Sequence, residues 1–207
     1  REFGYRTVTS AVKAVREVID EARPEAVFVL DCHGTIIGLR EAGEPIFMTA
    51  PYVDVLILEC YWNICKEPPY YVGMESRLIR SETQKHVWCP KWLARNPDQD
   101  YANVSPTAAK VWLMEALSSG ATPVAVDQGT FWFDRTCFDD VRKGHRHVKK
   151  LKADLVKSKP VRYAALFHSM ESKSVRIHKT LRNERQHFEG FYMACQEAHI
   201  PFDVITE

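Results

Sequence analysis

Twice in the first sixty residues a short apolar run ends directly in an acid. Ala26-Val-Phe-Val-Leu30 runs into Asp31-Cys32-His33-Gly34, and Val53-Asp-Val-Leu-Ile-Leu58 runs into Glu59-Cys60-Tyr61-Trp62. Apolar runs this short mark strands covered on both faces, as in a parallel sheet. The theme recurs more weakly at His86-Val-Trp-Cys89 before Pro90, and again at Pro123-Val-Ala-Val126 before Asp127-Gln128-Gly129. Two further strands are expected at 161–167 and 200–205.

Helices separate the strands. Val8, Ala11, Val12, Val15, Ile19 and Ala22 recur at helical spacing, with Thr7 or Thr9 as a cap and Pro24 as the stop. Ser105-Pro106 starts a helix that carries Ala109, Trp112, Leu113, Ala116 and Leu117 on one face and stops at Gly120. A basic helix from about Asp134 to Lys157 turns Phe138, Val141, Val148, Leu151 and Leu155 inward. After the linker Lys157-Ser-Lys-Pro160, Asn183 caps a helix with Phe188, Tyr192 and Cys195. The segment from Trp62 to about Ile79 reads only as a polar, aromatic stretch. Alternating strands and helices give an α/β fold with right-handed crossovers.

Composition removes several function classes. The 207 residues carry 28 basic against 27 acidic side chains, so charge gives no reason to expect nucleic acid or an anionic membrane as partner. No apolar run approaches the roughly 18–20 residues of a membrane span, and no charged-then-apolar leader opens the sequence. The six cysteines form no C-x-x-C pair and fit no zinc spacing; free thiols in a reducing cytoplasm are expected. His145 and His147, two apart on a presumed helix, do not share a face for a metal. Phosphate-loop, dinucleotide, nucleophile-elbow and zincin motifs are absent, so neither cofactor nor metal is expected.

In parallel α/β folds ligands sit at the carboxyl ends of strands. Those ends here carry Asp31 and His33, then Glu59, Tyr61 and Trp62, then Trp88, then Asp127, Gln128 and Trp132. Acids interleaved with rings suit a sugar-binding cleft, because carboxylates hydrogen-bond hydroxyls or move protons while flat rings stack on a pyranose. The competing account is that each polar group caps a loop and each ring closes the core. Glu59 is the sharpest candidate, since an acid ending an apolar run needs a partner or a purpose. A structural salt bridge to Arg77 or Arg80 is its alternative. Asp31 and His33 read as an acid–imidazole pair or as a solvated turn, and Asp127 is a weaker candidate of the same kind.

The order Val53 to Tyr61, then Arg80 and a Trp-containing strand, then Ser105-Pro106 with a helix from Trp112 to Gly120-Ala121, resembles the last strands of a glycoside hydrolase (β/α)8 barrel. Arg162-Tyr-Ala-Ala-Leu-Phe-His-Ser169, with the helix 184–199 and Ile200-Pro-Phe-Asp-Val-Ile205, is similar to the start of the flavodoxin-like trimerisation domain of family-42 β-galactosidases. The resemblance implies residues 1–157 as the C-terminal half of a TIM barrel, with strands 26–30, 53–58, 86–89 and 123–126 as its fifth to eighth. It implies residues 161–207 as the beginning of a flavodoxin-like three-layer domain. An intact protein of this kind is longer, since such barrels take about 250 residues, and forms a homotrimer.

In that family the general acid/base ends the fourth strand, which this sequence does not contain. The nucleophile ends the seventh, where His86-Val-Trp-Cys-Pro-Lys-Trp92 has no acid. The resemblance therefore implies a cytoplasmic β-galactosidase-like glycosidase acting on carbohydrate. Glu59 and Asp127 are its catalytic candidates, and Asp31, His33, Tyr61, Trp62, Arg80, Trp88, Gln128 and Trp132 its substrate contacts. The alternative is a non-catalytic carbohydrate-binding or scaffold protein that keeps the barrel without the carboxylate pair. A complete flavodoxin-like protein is a third reading, and it requires one continuous open sheet.

Overall fold

The computed structural model describes residues 2–34, 45–59, 70–92, 94–96, 100–103, 105–126, 136–169 and 181–207. Four strands lie side by side in chain order as one parallel sheet: β1 (Val29–Cys32), β2 (Val55–Leu58), β3 (His86–Trp92) and β6 (Thr122–Val126). A small antiparallel pair, β4 (Ala94–Asn96) and β5 (Asp100–Asn103), follows β3. A separate parallel pair is formed by β7 (Ala164–Phe167) and β8 (Phe202–Ile205). The helices are α1 (Glu2–Ala22), the short α2 (Ile46–Thr49), α3 (Tyr71–Thr83), α4 (Pro106–Ser118), α5 (Thr136–Lys157) and α6 (Leu181–Glu197). Parallel strands in unbroken chain order are the arrangement of a (β/α) barrel, whereas a doubly wound sheet reverses its order at a switch point. The described strands thus do not form the one continuous sheet of a complete flavodoxin-like protein.

The register separates two faces. Leu56, Leu58, Val87 and Cys89 are fully buried and Cys32 nearly so, in one cluster with Val72, Met74, Leu78 and Ile79 of α3 and Trp112, Leu113 and Ala116 of α4. Each large aliphatic side chain so buried contributes about 1.5–3 kcal/mol. The intervening residues form a row on the other face, Asp31 beside Ile57, Ile57 beside Trp88, and Trp88 beside Thr122. That row is exposed or half-buried. Asp54, the acid inside the second apolar run, is explained locally. Its Oδ2 accepts from the Phe28 N–H at 2.8 Å and from Arg16 Nη1 at 3.1 Å, tying α1 to the start of the sheet.

Several helical expectations need correction. α1 begins at Glu2, so Thr7 and Thr9 lie inside it, their hydroxyls donating back to Phe3 O and Tyr5 O rather than capping. Of its expected apolar face only Val12 is buried, while Val8 and Val15 are exposed. Of the residues expected to turn inward from α5, Val141 is buried and Val148 partly so, while Phe138, Leu151 and Leu155 remain exposed. Asn183 falls inside α6, which starts at Leu181. The stretch read as polar and aromatic contains α3, a helix with Glu75 and Ser76 completely buried. Ser105, in contrast, caps α4 as expected, its Oγ accepting from the Ala108 N–H at 3.2 Å.

The β7–α6–β8 segment packs on α3. Phe188, Tyr192, Phe202 and Val204 belong to the same buried cluster as Tyr71, Met74 and Leu78. Arg77 of α3 crosses this contact, donating from Nη1 to Phe202 O at 3.1 Å with its guanidinium 4.9 Å from the Phe202 ring centre. Gln196 donates to Glu115 Oε1 of α4 at 3.1 Å and to the Tyr192 hydroxyl at 3.3 Å. Burial pushes both the Glu115 carboxyl and the Tyr192 phenol above their ordinary ranges. The outer face of β7 and β8 is bare, with Phe167 beside Ile205 and Tyr163 81% exposed.

Candidate functional site

The site is assembled by strand register. The Glu59 N–H donates to Cys32 O at 2.8 Å, extending the β1–β2 ladder by one residue beyond the strand ends. Glu59 therefore emerges beside His33, and both lie on the open face because each is two residues beyond a member of the row Asp31–Ile57. His33 Nε2 stands 3.2 Å from Glu59 Oε2, the Glu59 side chain being 16% exposed and that of His33 47%.

Asp31, one row below, hydrogen-bonds the Glu59 carboxyl. Burial, followed by the charge and hydrogen bond of Glu59, pushes Asp31 up to about 6, against the pull of the Cys32 backbone and of His33. His33 pairs with Glu59, and its charge acts on Asp31 as well. Both side chains converge on Glu59, across the strand boundary.

Gly34 ends this segment at φ +89°, in the left-handed region that favours glycine. A Cβ there would stand 3.1 Å from Glu75 Oε2 and 3.3 Å from Leu58 Cδ1. Glu75 is thus a buried acid directly behind the site, on the helical side of the sheet. The sequence offered no signal for it, since its segment did not read as a helix.

Trp88, half-buried, lies in the row next to Ile57, so an indole and the acid pair share one face. Arg80 does not join them. Its Nη1 donates to Ser119 O at 2.9 Å, in the turn that precedes β6, which places it toward the amino edge of the sheet. Arg77 is engaged with Phe202, so neither arginine offered as a salt-bridge partner serves Glu59. Tyr61, Trp62, Asp127, Gln128 and Trp132 lie outside the described residues. Among the described residues no group of three or more His, Cys, Asp or Glu is placed to hold a metal ion, and no helix is long and apolar enough to cross a membrane.

The arrangement offers a proton donor, an acceptor and an imidazole on an open sheet face beside an aromatic ring. Mixed α/β structure, parallel strands in chain order and a polar cluster at the strands' carboxyl ends are the features of part of a (β/α)-barrel fold. Among solved structures the chain is similar to alpha-L-fucosidase isoenzyme 2 from Paenibacillus thiaminolyticus, with a TM-score of 0.69 and 15% sequence identity. That similarity covers 97% of this chain but only 29% of the other, so the chain spans less than a third of its structural neighbour. No family model and no curated protein matches the sequence.

Proposed function

We propose that the chain is the sugar-facing portion of a glycosidase that cleaves O-glycosyl bonds, with Glu59 as its central carboxylate. The observation that carries this is the convergence of Asp31, His33 and Glu59 on the open face of a barrel-type sheet, at the strand ends and beside Trp88. Carboxyl groups in such a position hydrogen-bond ring hydroxyls or transfer protons to a leaving oxygen. Asp31, His33 and Trp88 are substrate contacts in this proposal. Tyr61, Trp62, Gln128 and Trp132 are further substrate contacts in this proposal, on the sequence alone.

Asp31 and Glu59 act together on one side of the bond. Retaining glycosidases hold their two carboxyl groups about 5–5.5 Å apart and inverting ones roughly 6.5–9.5 Å apart, whereas these two touch. The opposing acid therefore comes from elsewhere, and Asp127, directly after β6, is the candidate the sequence supplies. The same contact favours the second reading, a carbohydrate-binding protein without hydrolysis. Release of nitrophenol from aryl β-galactosides by the protein, abolished in Glu59→Gln, supports the enzyme. Galactose binding without any turnover supports the binder.

The bare outer face of β7 and β8 supports a flavodoxin-like trimerisation domain beginning at residue 161, because a parallel pair is stable only when more layers cover it. The proposed assembly is a homotrimer in the cytoplasm. A monomer by sedimentation of the intact protein at micromolar concentration overturns that part.

A further inference from the structure

We propose that Glu75 is a positioning residue: its buried carboxyl packs behind Gly34 and holds the end of β1 where His33 meets Glu59. The inference rests on the reading of the open face as a sugar cleft. Its contacts are made by α3, β2 and the last residues of the β1 segment.

Glu75 is 0% exposed, among the apolar α3 residues Tyr71, Val72, Met74, Leu78 and Ile79 of the main core cluster. Burying a carboxyl group there costs free energy that a leucine or methionine would not. Core stability alone therefore gives no reason for an acid at this position. Its neighbour at the strand end supplies one. A Cβ on Gly34 would stand 3.1 Å from Glu75 Oε2 and 3.3 Å from its Cδ, with Leu58 Cδ1 of β2 also at 3.3 Å. The carboxyl and the leucine thus occupy the space that any side chain at residue 34 would need. Gly34 also has φ +89°, so backbone conformation and packing each demand glycine at the same point.

The effect reaches the open face through one peptide unit. Alternation along the strand turns His33 to the open face and the α-carbon of Gly34 toward the helical side. Before His33, the backbone is held by Cys32, whose carbonyl accepts from the Glu59 N–H at 2.8 Å and whose thiol donates to Ile57 O at 2.9 Å. After His33, it is held by the Glu75 contact at Gly34. Pinned on both sides, His33 brings its Nε2 to 3.2 Å from Glu59 Oε2. A site group fixed in this way needs no rearrangement when a ligand arrives, and a misplacement of about 1 Å costs up to about a hundredfold in rate.

The test reads the His33–Glu59 contact directly, by nitrogen-15 NMR of the His33 ring, with signals assigned by their loss in His33→Gln. In the parent, Glu59→Gln should shift those signals, because it changes the group 3.2 Å away. In Glu75→Ala the same replacement should leave them in place, the contact having already been lost. Glu75→Gln, which keeps the shape, should restore the response. On an aryl β-galactoside, Glu75→Ala should lower kcat at least about tenfold with KM changed less than about twofold, and Glu75→Gln should recover most of the loss. If Glu75→Ala does not fold, Glu75→Asp, one methylene shorter, takes its place, and Gly34→Ala disturbs the same contact from the other side. His33 signals that respond to Glu59→Gln equally with and without the Glu75 side chain overturn the proposal, even if the protein is active. Absence of both turnover and galactose binding in the parent overturns the cleft reading instead, and the His33 response still decides whether Glu75 places the imidazole.

Discussion

Asp31 of β1 and Glu59, the residue after β2, lie one row apart on the same face, where the charge and hydrogen bond of Glu59 help to raise Asp31. Neither residue is near the other in sequence, and neither is placed by a helix. The contact exists because the β1–β2 register pairs Cys32 with Leu58 and so brings the residues flanking that pair together.

Replacing Glu59 by Gln keeps shape and removes charge. Turnover of a glycoside substrate should fall at least about a hundredfold, the usual scale for losing a positioned acid or base. Steady-state kinetics on parent and variant check this, with circular dichroism to confirm the fold. Near-normal turnover would make Glu59 a structural acid.

Asp31 makes stability depend on pH. Its folded-state pKa lies above the ordinary value of 3.8, near 6, so the folded protein holds this proton more tightly than the unfolded chain does. The contribution is complete below about pH 4 and is lost as pH rises through about 6. Asp31→Asn should melt above the parent at pH 8 and with it at pH 4. Solvent screening at this partly exposed site limits the gain to about 1 kcal/mol, on the order of 2–4 °C.

Glu115 obeys the same sign inside the helical layer, where burial raises it against the pull of Gln196 and Arg77. Glu115→Gln should raise the melting temperature at pH 7 and leave it unchanged near pH 4. Gly73→Ala should do the reverse of what a helix interior normally rewards, because the new methyl overlaps Glu115 Oε1 and lies 2.7 Å from Ser119 Oγ. A cost of about 1–3 kcal/mol is expected. Denaturant titration of the double mutant with Glu115→Ala should recover most of it, since the two positions share one contact.

Gly120 joins α4 to β6 at φ +77°, and a methyl there would collide with Arg80 Nη1. Gly120→Ala therefore combines left-handed strain of about 1–2 kcal/mol with displacement of the Arg80 bond to Ser119 O. Urea unfolding should show a loss of at least about 2 kcal/mol. A loss below half of that would mean that Arg80 moves freely and locks nothing.

The parallel strands were legible because burial on both faces writes itself into short apolar runs, and their ends pointed to Asp31, His33 and Glu59. Which of these touch was not legible, because register is a long-range property and the segments give only its period. The place of Arg80 was illegible for a related reason: its segment carries no clear helical period, so nothing in it shows that the guanidinium runs to Ser119 O. That helix, α3, escaped because Glu75, Ser76 and Arg77 interrupt the apolar period. The structure buries Glu75 and Ser76 whole and lays Arg77 across Phe202. α1 and α5 showed the opposite failure, with a clear apolar period on faces that the described residues leave largely uncovered.

The packing of Phe188, Tyr192, Phe202 and Val204 against Tyr71, Met74 and Leu78 also bears on how the molecule is made. A ribosome delivers α3 long before it delivers α6 and β8, at about 5–20 residues per second. For those seconds the sheet and α3 emerge with an oily flank that α6 and β8 will close. The nascent protein is therefore most in need of a chaperone after β6 has been made and before β8 has left the exit tunnel.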